Sequence, residues 1–387
     1  MNIPSEYDEI RPYEPEELPE VFKELLADSQ FLSVVNLLPV LGDMPQQDLQ
    51  GALLSCKTNL DFQKRLIYPI LKHLLSKAAT SYRINVSALA DKKGAYTYIS
   101  NHRDIVLDSA ILSLLLLENG FEDTVEIAIG DNLLAYPWIE KIVRVNRAFI
   151  VRRSLGMREM LASSKRLSGY IHFAINEKKR SLWIAQREGR AKDSSDRTQE
   201  SLIKMLAMAG NGSPAECLSQ INIVPLSISY EYDPCDFLKA KEMQQKRDNP
   251  AHVKSREDDL LNMQTGIFGF KGDIHYQVAP CINAWLPELA GLPKGDFFAE
   301  VVRRIDKGIH SSYKLFPGNY VAADLLDGTD NSNYYTPEEK ARFEKYLASR
   351  VKLVDLPDKD EDFLRNRILE MYANPLKNYI GAKVQYK

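Results

Sequence analysis

From about residue 95 the chain changes rhythm. Short β-branched and aromatic runs alternate with longer stretches whose apolar residues recur every three or four positions. Strands are expected at 95–100, 124–129, 148–152, 181–186, 221–230 and 273–279. Helices are expected between them at 105–118, 133–143, 157–176 and 199–209. This alternation predicts an α/β fold, a central and mostly parallel sheet flanked by helices. Both ends of the chain read as helical additions. Helical spacing appears at 16–26, 46–56 and 60–77, with Pro69 kinking or dividing the last. Thr336-Pro337-Glu338-Glu339 has the form of a capped helix start, and Leu364, Ile368, Met371 and Tyr372 form a late apolar stripe. The expected organisation is a helical region at 1–90, an α/β domain at 91–285 with a polar excursion at 236–262, and a helical region at 286–387.

Composition narrows the class. Of 387 residues, 44% are hydrophobic and 27% charged, as in an ordinary globular protein, which argues against long disorder or a disulfide scaffold. A membrane-spanning helix needs about 18 apolar residues. Charge-free runs such as 29–42 are shorter, and Pro39 interrupts that one. The first ten residues are acidic and lack an apolar stretch, so no signal peptide is expected. A net charge of −3 argues against general nucleic-acid binding. Cys56, Cys217, Cys235 and Cys281 form no Cys-x-x-Cys pair, so reduced thiols in the cytoplasm are expected rather than a zinc or redox site.

Four segments carry chemistry. The first, Ser100-Asn101-His102-Arg103-Asp104-Ile105-Val106-Leu107-Asp108, lies where a strand gives way to a helix, the usual place for active-site groups in open α/β sheets. A histidine oriented by an aspartate suits general-base work. Asp108 is the favoured partner, provided His102 sits in the turn before the helix. Asp104 is the alternative and could equally cap the helix. The second segment, Arg147-Ala148-Phe149-Ile150-Val151-Arg152-Arg153-Ser154, ends a strand with adjacent guanidinium groups suited to phosphate oxygens, and Ser154 could start the next helix. The third, Trp183-Ile184-Ala185-Gln186-Arg187-Glu188-Gly189-Arg190-Ala191-Lys192, runs from a strand into a cationic turn in which Gly189 permits positive φ. The fourth, Ile223-Val224-Pro225-Leu226-Ser227-Ile228-Ser229-Tyr230-Glu231, is architectural, and Pro225 suits an edge or strand start. His73, His172, His252, His275 and His310 lie in contexts that read as packed or solvated.

In order and spacing these segments resemble the four motifs of the glycerolipid acyltransferase superfamily, which includes glycerol-3-phosphate and 1-acylglycerol-3-phosphate acyltransferases. Asn-His-Arg-x-x-x-x-Asp is similar to His-x4-Asp, although five residues separate His102 from Asp108. Arg-Ala-Phe-Ile-Val-Arg-Arg-Ser resembles the second motif, with Arg147 where the family often has glycine. The third is one residue short, so the family arginine corresponds to Arg190 or to Lys192. The resemblance spans about residues 95–280.

The resemblance implies a mechanism. His102, steadied by Asp108, takes a proton from an acceptor hydroxyl, whose oxygen attacks the thioester of an acyl-CoA or acyl-carrier protein. Arg103, Arg152, Arg153, Glu188, Gly189, Arg190 and Lys192 would form the acceptor's phosphate site, with Phe149 and Pro225 supporting it. No cofactor or metal is implied. The acceptor would be glycerol 3-phosphate, 1-acylglycerol 3-phosphate or another hydroxyl lipid. The protein would be cytoplasmic and peripheral on the inner face of the cell membrane. A non-catalytic lipid-binding protein of the same fold and a thioesterase are the competing functions. Gly-x-Ser-x-Gly is absent, which counts against a serine lipase.

Overall fold

The computed structural model describes residues 3–35, 46–89, 91–134, 136–153 and 156–384. Ser154 and the second half of the 29–42 run lie outside them. One seven-stranded sheet organises the chain: β1 (Ser81–Asn85), β2 (Thr97–Ser100), β3 (Val125–Gly130), β4 (Ala148–Val151), β5 (Ser181–Ala185), β6 (Ile223–Tyr230) and β7 (Asp273–Val278). Their order is β1-β7-β6-β2-β5-β3-β4. Every pairing is parallel except β6–β7.

All six expected strands are present. β1 was not foreseen, and it moves the start of the α/β layer from residue 91 to Ser81. It is a short edge strand with an irregular burial pattern, so it carries little periodic signal. The central strands are buried on both faces. β2 is buried throughout, and β6 is buried at every position but its last. Two-sided burial is what helices on both faces impose, and it explains their unbroken apolar runs.

On one face, Tyr68–Ala78 and Leu107–Glu118 pack against the sheet. Leu114, Leu115 and Leu116 are buried there, so this apolar helix is core rather than a membrane anchor. Each such leucine contributes about 1.5–3 kcal/mol of burial. Met157–Asn176, Glu200–Leu206 and Lys294–Ser311 cover the opposite face. Val301, Ile305 and Ile309 share one core with Ile99 and Ile223, so the first C-terminal helix belongs to the α/β layer and not to a separate addition after residue 286. The later helices build their own core, joined through Ala240 by Asp236–Asp248 of the excursion.

The helix continues through a wider π turn at Gln63–Ile67, and Pro69 stands in the first α turn after it, so the irregularity expected at the proline lies just before it. Pro225 corrects an expectation. It lies not at an edge but in β6, between β2 and β7. Its carbonyl accepts from Ala279 N at 2.9 Å, so the missing N–H also points toward β7, where the ladder ends at Val278. The absent donor therefore costs only the return bond of the Pro225–Ala279 pair, at the very end of the β6–β7 ladder.

Candidate active site

β2 ends at Ser100 and the next helix starts at Leu107. Asn101 pins the intervening turn to β6. Its Nδ2 donates to Ile228 O and its Oδ1 accepts from Ile228 N, both at 2.8 Å. Asp104 Oδ1 accepts from the N–H groups of Val106 (2.9 Å) and Leu107 (2.7 Å), which caps the helix. Asp108 sits in the first helical turn, and helical side chains tilt toward the N-terminus. Its Oδ2 therefore reaches back to His102 Nδ1 at 2.7 Å, and it accepts from Arg103 N at 2.7 Å and Asp104 N at 3.1 Å. The extra residue between His102 and Asp108 is absorbed by this capped turn. Of the two aspartates, Asp108 touches the imidazole and Asp104 holds the helix.

The His102 ring is 13% exposed and stands edge-on to Trp183 of β5, with centroids 5.5 Å apart. Trp183 Nε1 donates to Ser100 Oγ at 2.9 Å, which fixes that wall. A proton on Nδ1 shared with the carboxylate leaves the Nε2 lone pair to accept another. The pair can thus take a proton from a hydroxyl and stabilise the resulting imidazolium.

Guanidinium groups stand along the same carboxyl edge. Arg152 and Arg153 follow β4, three strands from β2, or about 14 Å by strand spacing. Arg153 bridges toward the third segment through Glu188, 3.5 Å away, and its N–H donates to Asp131 at 3.3 Å. Among the described residues no acidic side chain pairs with Arg152. Gly189 has a φ of 66°, the left-handed region its position required. Arg190 donates to Asn262 Oδ1 at 3.1 Å, while its Nη1 and Arg187 Nε are buried donors without partners. Burial opposes the charge on Arg190, but the thiol of Cys235 and the carboxylates of Asp233 and Asp104 raise its pKa above the ordinary value. Buried, unpaired donors are costly unless an acceptor arrives, so this turn is suited to an anion.

Two expected phosphate ligands already have carboxylate partners. Arg103 is 8% exposed and forms a 2.5 Å ion pair with Asp196, whose carboxylate also accepts from Tyr313 Oη at 2.8 Å. It lines a small, partly open cavity of about 30 Å³ with Tyr230 and Tyr313. Lys192 pairs with Glu242 of the excursion, so Arg190 is the cation of the third segment nearer the dyad turn. Phe149 is core, packed on Tyr170 at 5.5 Å between centroids. Arg147 occupies a left-handed φ of 67°, a conformation glycine adopts without strain, and is held by Asp123 and by Thr124 Oγ1 at 2.8 Å. His172 and His310 bond main-chain carbonyls and are packed, as read. The sequence reading did not single out Asn101, which pins the His102 turn, Tyr230, which bonds Asp108, or Asp196, which pairs with Arg103. Asn101 and Tyr230 lay inside the motifs, whereas Asp196 gave no signal.

A half-buried histidine paired with a buried aspartate thus stands with a cationic turn at the carboxyl ends of parallel strands, the place where α/β folds carry their active sites. Residues 82–229 match the Acyltransferase family. No curated protein matches the chain. Among solved structures it is similar to the 1-acyl-sn-glycerophosphate (LPA) acyltransferase PlsC from Thermotoga maritima. That likeness has a TM-score of 0.35 and 12% identity over 75% of this chain and 93% of the other.

Proposed function

We propose that the protein is an O-acyltransferase of phospholipid synthesis. It moves a fatty acyl group from acyl-CoA or acyl-carrier protein to the hydroxyl of glycerol 3-phosphate or 1-acylglycerol 3-phosphate. The observation that carries this reading is the 2.7 Å His102–Asp108 contact within an acyltransferase domain. His102 Nε2 takes the hydroxyl proton as the oxygen attacks the thioester carbonyl. The tetrahedral adduct collapses, the C–S bond breaks, and the proton passes from the imidazole to the leaving thiolate. Arg152, Arg153 and Arg190 hold the acceptor phosphate and so position the hydroxyl.

In this reading the protein meets lipid through a surface face; no helix of the described residues is long and apolar enough to cross a membrane. The helix Arg256–Phe268 turns Asn262 and Gly266 down onto the Arg190 and Asp104 turns, where a Cβ at Gly266 would run into the Asp104 carboxylate. Its exposed side carries Leu260, Leu261 and Phe268. This outer face suits a bilayer that supplies the acceptor or takes up the product.

The test is acyl transfer by purified protein from an acyl thioester to each acceptor. His102→Ala should abolish it while the protein stays folded, and Arg152→Ala should raise the acceptor KM alone. Normal turnover by His102→Ala ends the proposal. Thioester loss indifferent to the acceptor indicates hydrolysis instead.

A further inference from the structure

The β6–β7 pair is the sheet's antiparallel pairing, and it brings two tyrosines to the same residue. In its register Tyr230 lies opposite Ile274 and Tyr276 opposite Ile228. The tyrosines are thus diagonal neighbours on one face, the face covered by Leu107–Glu118. Tyr230 Oη donates to Asp108 Oδ1 at 3.0 Å, and Tyr276 Oη donates to the Asp108 main-chain carbonyl at 2.9 Å.

The two carboxylate oxygens of Asp108 have different partners. Oδ2 is shared among His102 Nδ1 and the N–H groups of Arg103 and Asp104. Among the described residues Oδ1 has one hydrogen-bond partner, Tyr230. A buried carboxylate with one free oxygen could rotate about its Cβ–Cγ bond and release the imidazole. A donor on Oδ1 holds its plane. Burial first, and then the neighbouring Tyr276 and Asp108, hold the Tyr230 phenol well above its ordinary value, so it remains a donor.

We propose that Tyr230 is a positioning residue for acyl transfer, fixing the Asp108 carboxylate so that His102 presents Nε2 to the acceptor hydroxyl. It is the last residue of β6, one position beyond the matched acyltransferase stretch. The inference rests on His102 being the base.

The experiment is a double-mutant cycle in the full chain, with an acyl-CoA donor and whichever of glycerol 3-phosphate or lysophosphatidic acid turns over. Tyr230→Phe removes one oxygen and keeps the packed ring. It should lower kcat about tenfold, the scale of one lost hydrogen bond to a charged group, with both KM values within about twofold. In an Asp108→Asn background the same change should have no further effect, because Tyr230 acts through the carboxylate. The Nδ1 proton resonance of His102, read without turnover, should shift or broaden in Tyr230→Phe. An unchanged kcat, an unchanged resonance, or an equal drop in the Asp108→Asn background overturns the proposal. His102→Ala, run alongside, reports separately on the base: turnover by that variant removes the underlying reading whatever Tyr230 does.

Discussion

Replacing Asp108 by asparagine tests the arrangement at its centre. As the hydroxyl proton moves onto His102, the imidazolium lies against a carboxylate only 1% exposed. Two unit charges roughly 4 Å apart at an effective dielectric of about 20 attract by about 4 kcal/mol. Each 1.36 kcal/mol is a factor of about ten, so losing the charge should slow turnover by about 10³. Asp104→Asn is the matched control. Its Oδ1 still accepts from Val106 and Leu107, and it makes no contact with the imidazole, so kcat should stay within about threefold of the parent. The assay is kcat/KM at saturating thioester with varied acceptor, with thermal melts to show that both variants fold. If Asp108→Asn keeps turnover within tenfold of the parent, or if folded Asp104→Asn falls as far, the pairing has been misread.

Three further outcomes follow from the same geometry. Burial first, and then Asp108, raise the Asp104 carboxyl above its ordinary value of 3.8, so the folded chain holds that proton more tightly than the unfolded chain. Stability from this group is therefore full below 3.8 and is lost as pH rises through the raised folded value. In urea titrations Asp104→Asn should accordingly lose less stability than the parent on going from acid to neutral pH, and an equal loss would contradict the assignment. Asp196→Ala strands the Arg103 guanidinium in the core and should cost about 3–5 kcal/mol by denaturant unfolding. Arg103→Met in that background should recover most of it. Replacing Leu260, Leu261 and Phe268 together by serine should weaken sedimentation with phospholipid vesicles while leaving the melting temperature close to the parent's. Unchanged sedimentation would place lipid contact elsewhere.

Much of this architecture was legible along the chain. The six strands at 95–279 were readable because parallel strands buried on both faces need unbroken apolar, β-branched runs. Histidine and arginine stood where those runs ended, and such junctions collect at one edge of the sheet. β1 escaped because a five-residue edge strand beside a helix needs no periodic pattern. Pro225 misled because the rule for proline in strands depends on which neighbour its missing donor faces, and pairing alone decides that. Arg103 and Lys192 read as free cations, since a sequence shows charge but not the carboxylates of Asp196 and Glu242 that the fold brings to them.

The amino-acid order by itself determined the alternation of strand and helix, the junctions that carry His102, Arg152 and Gly189, and the absence of a long apolar run. Those properties depend on neighbours a few positions away. The tertiary structure alone decided that Asp108 rather than Asp104 meets the imidazole, that Tyr230 closes the other side of that carboxylate, and which guanidinium groups meet carboxylates. Each of these is a contact within a few ångströms between groups set by strand order and helix capping, and no local pattern encodes where a distant strand will stand.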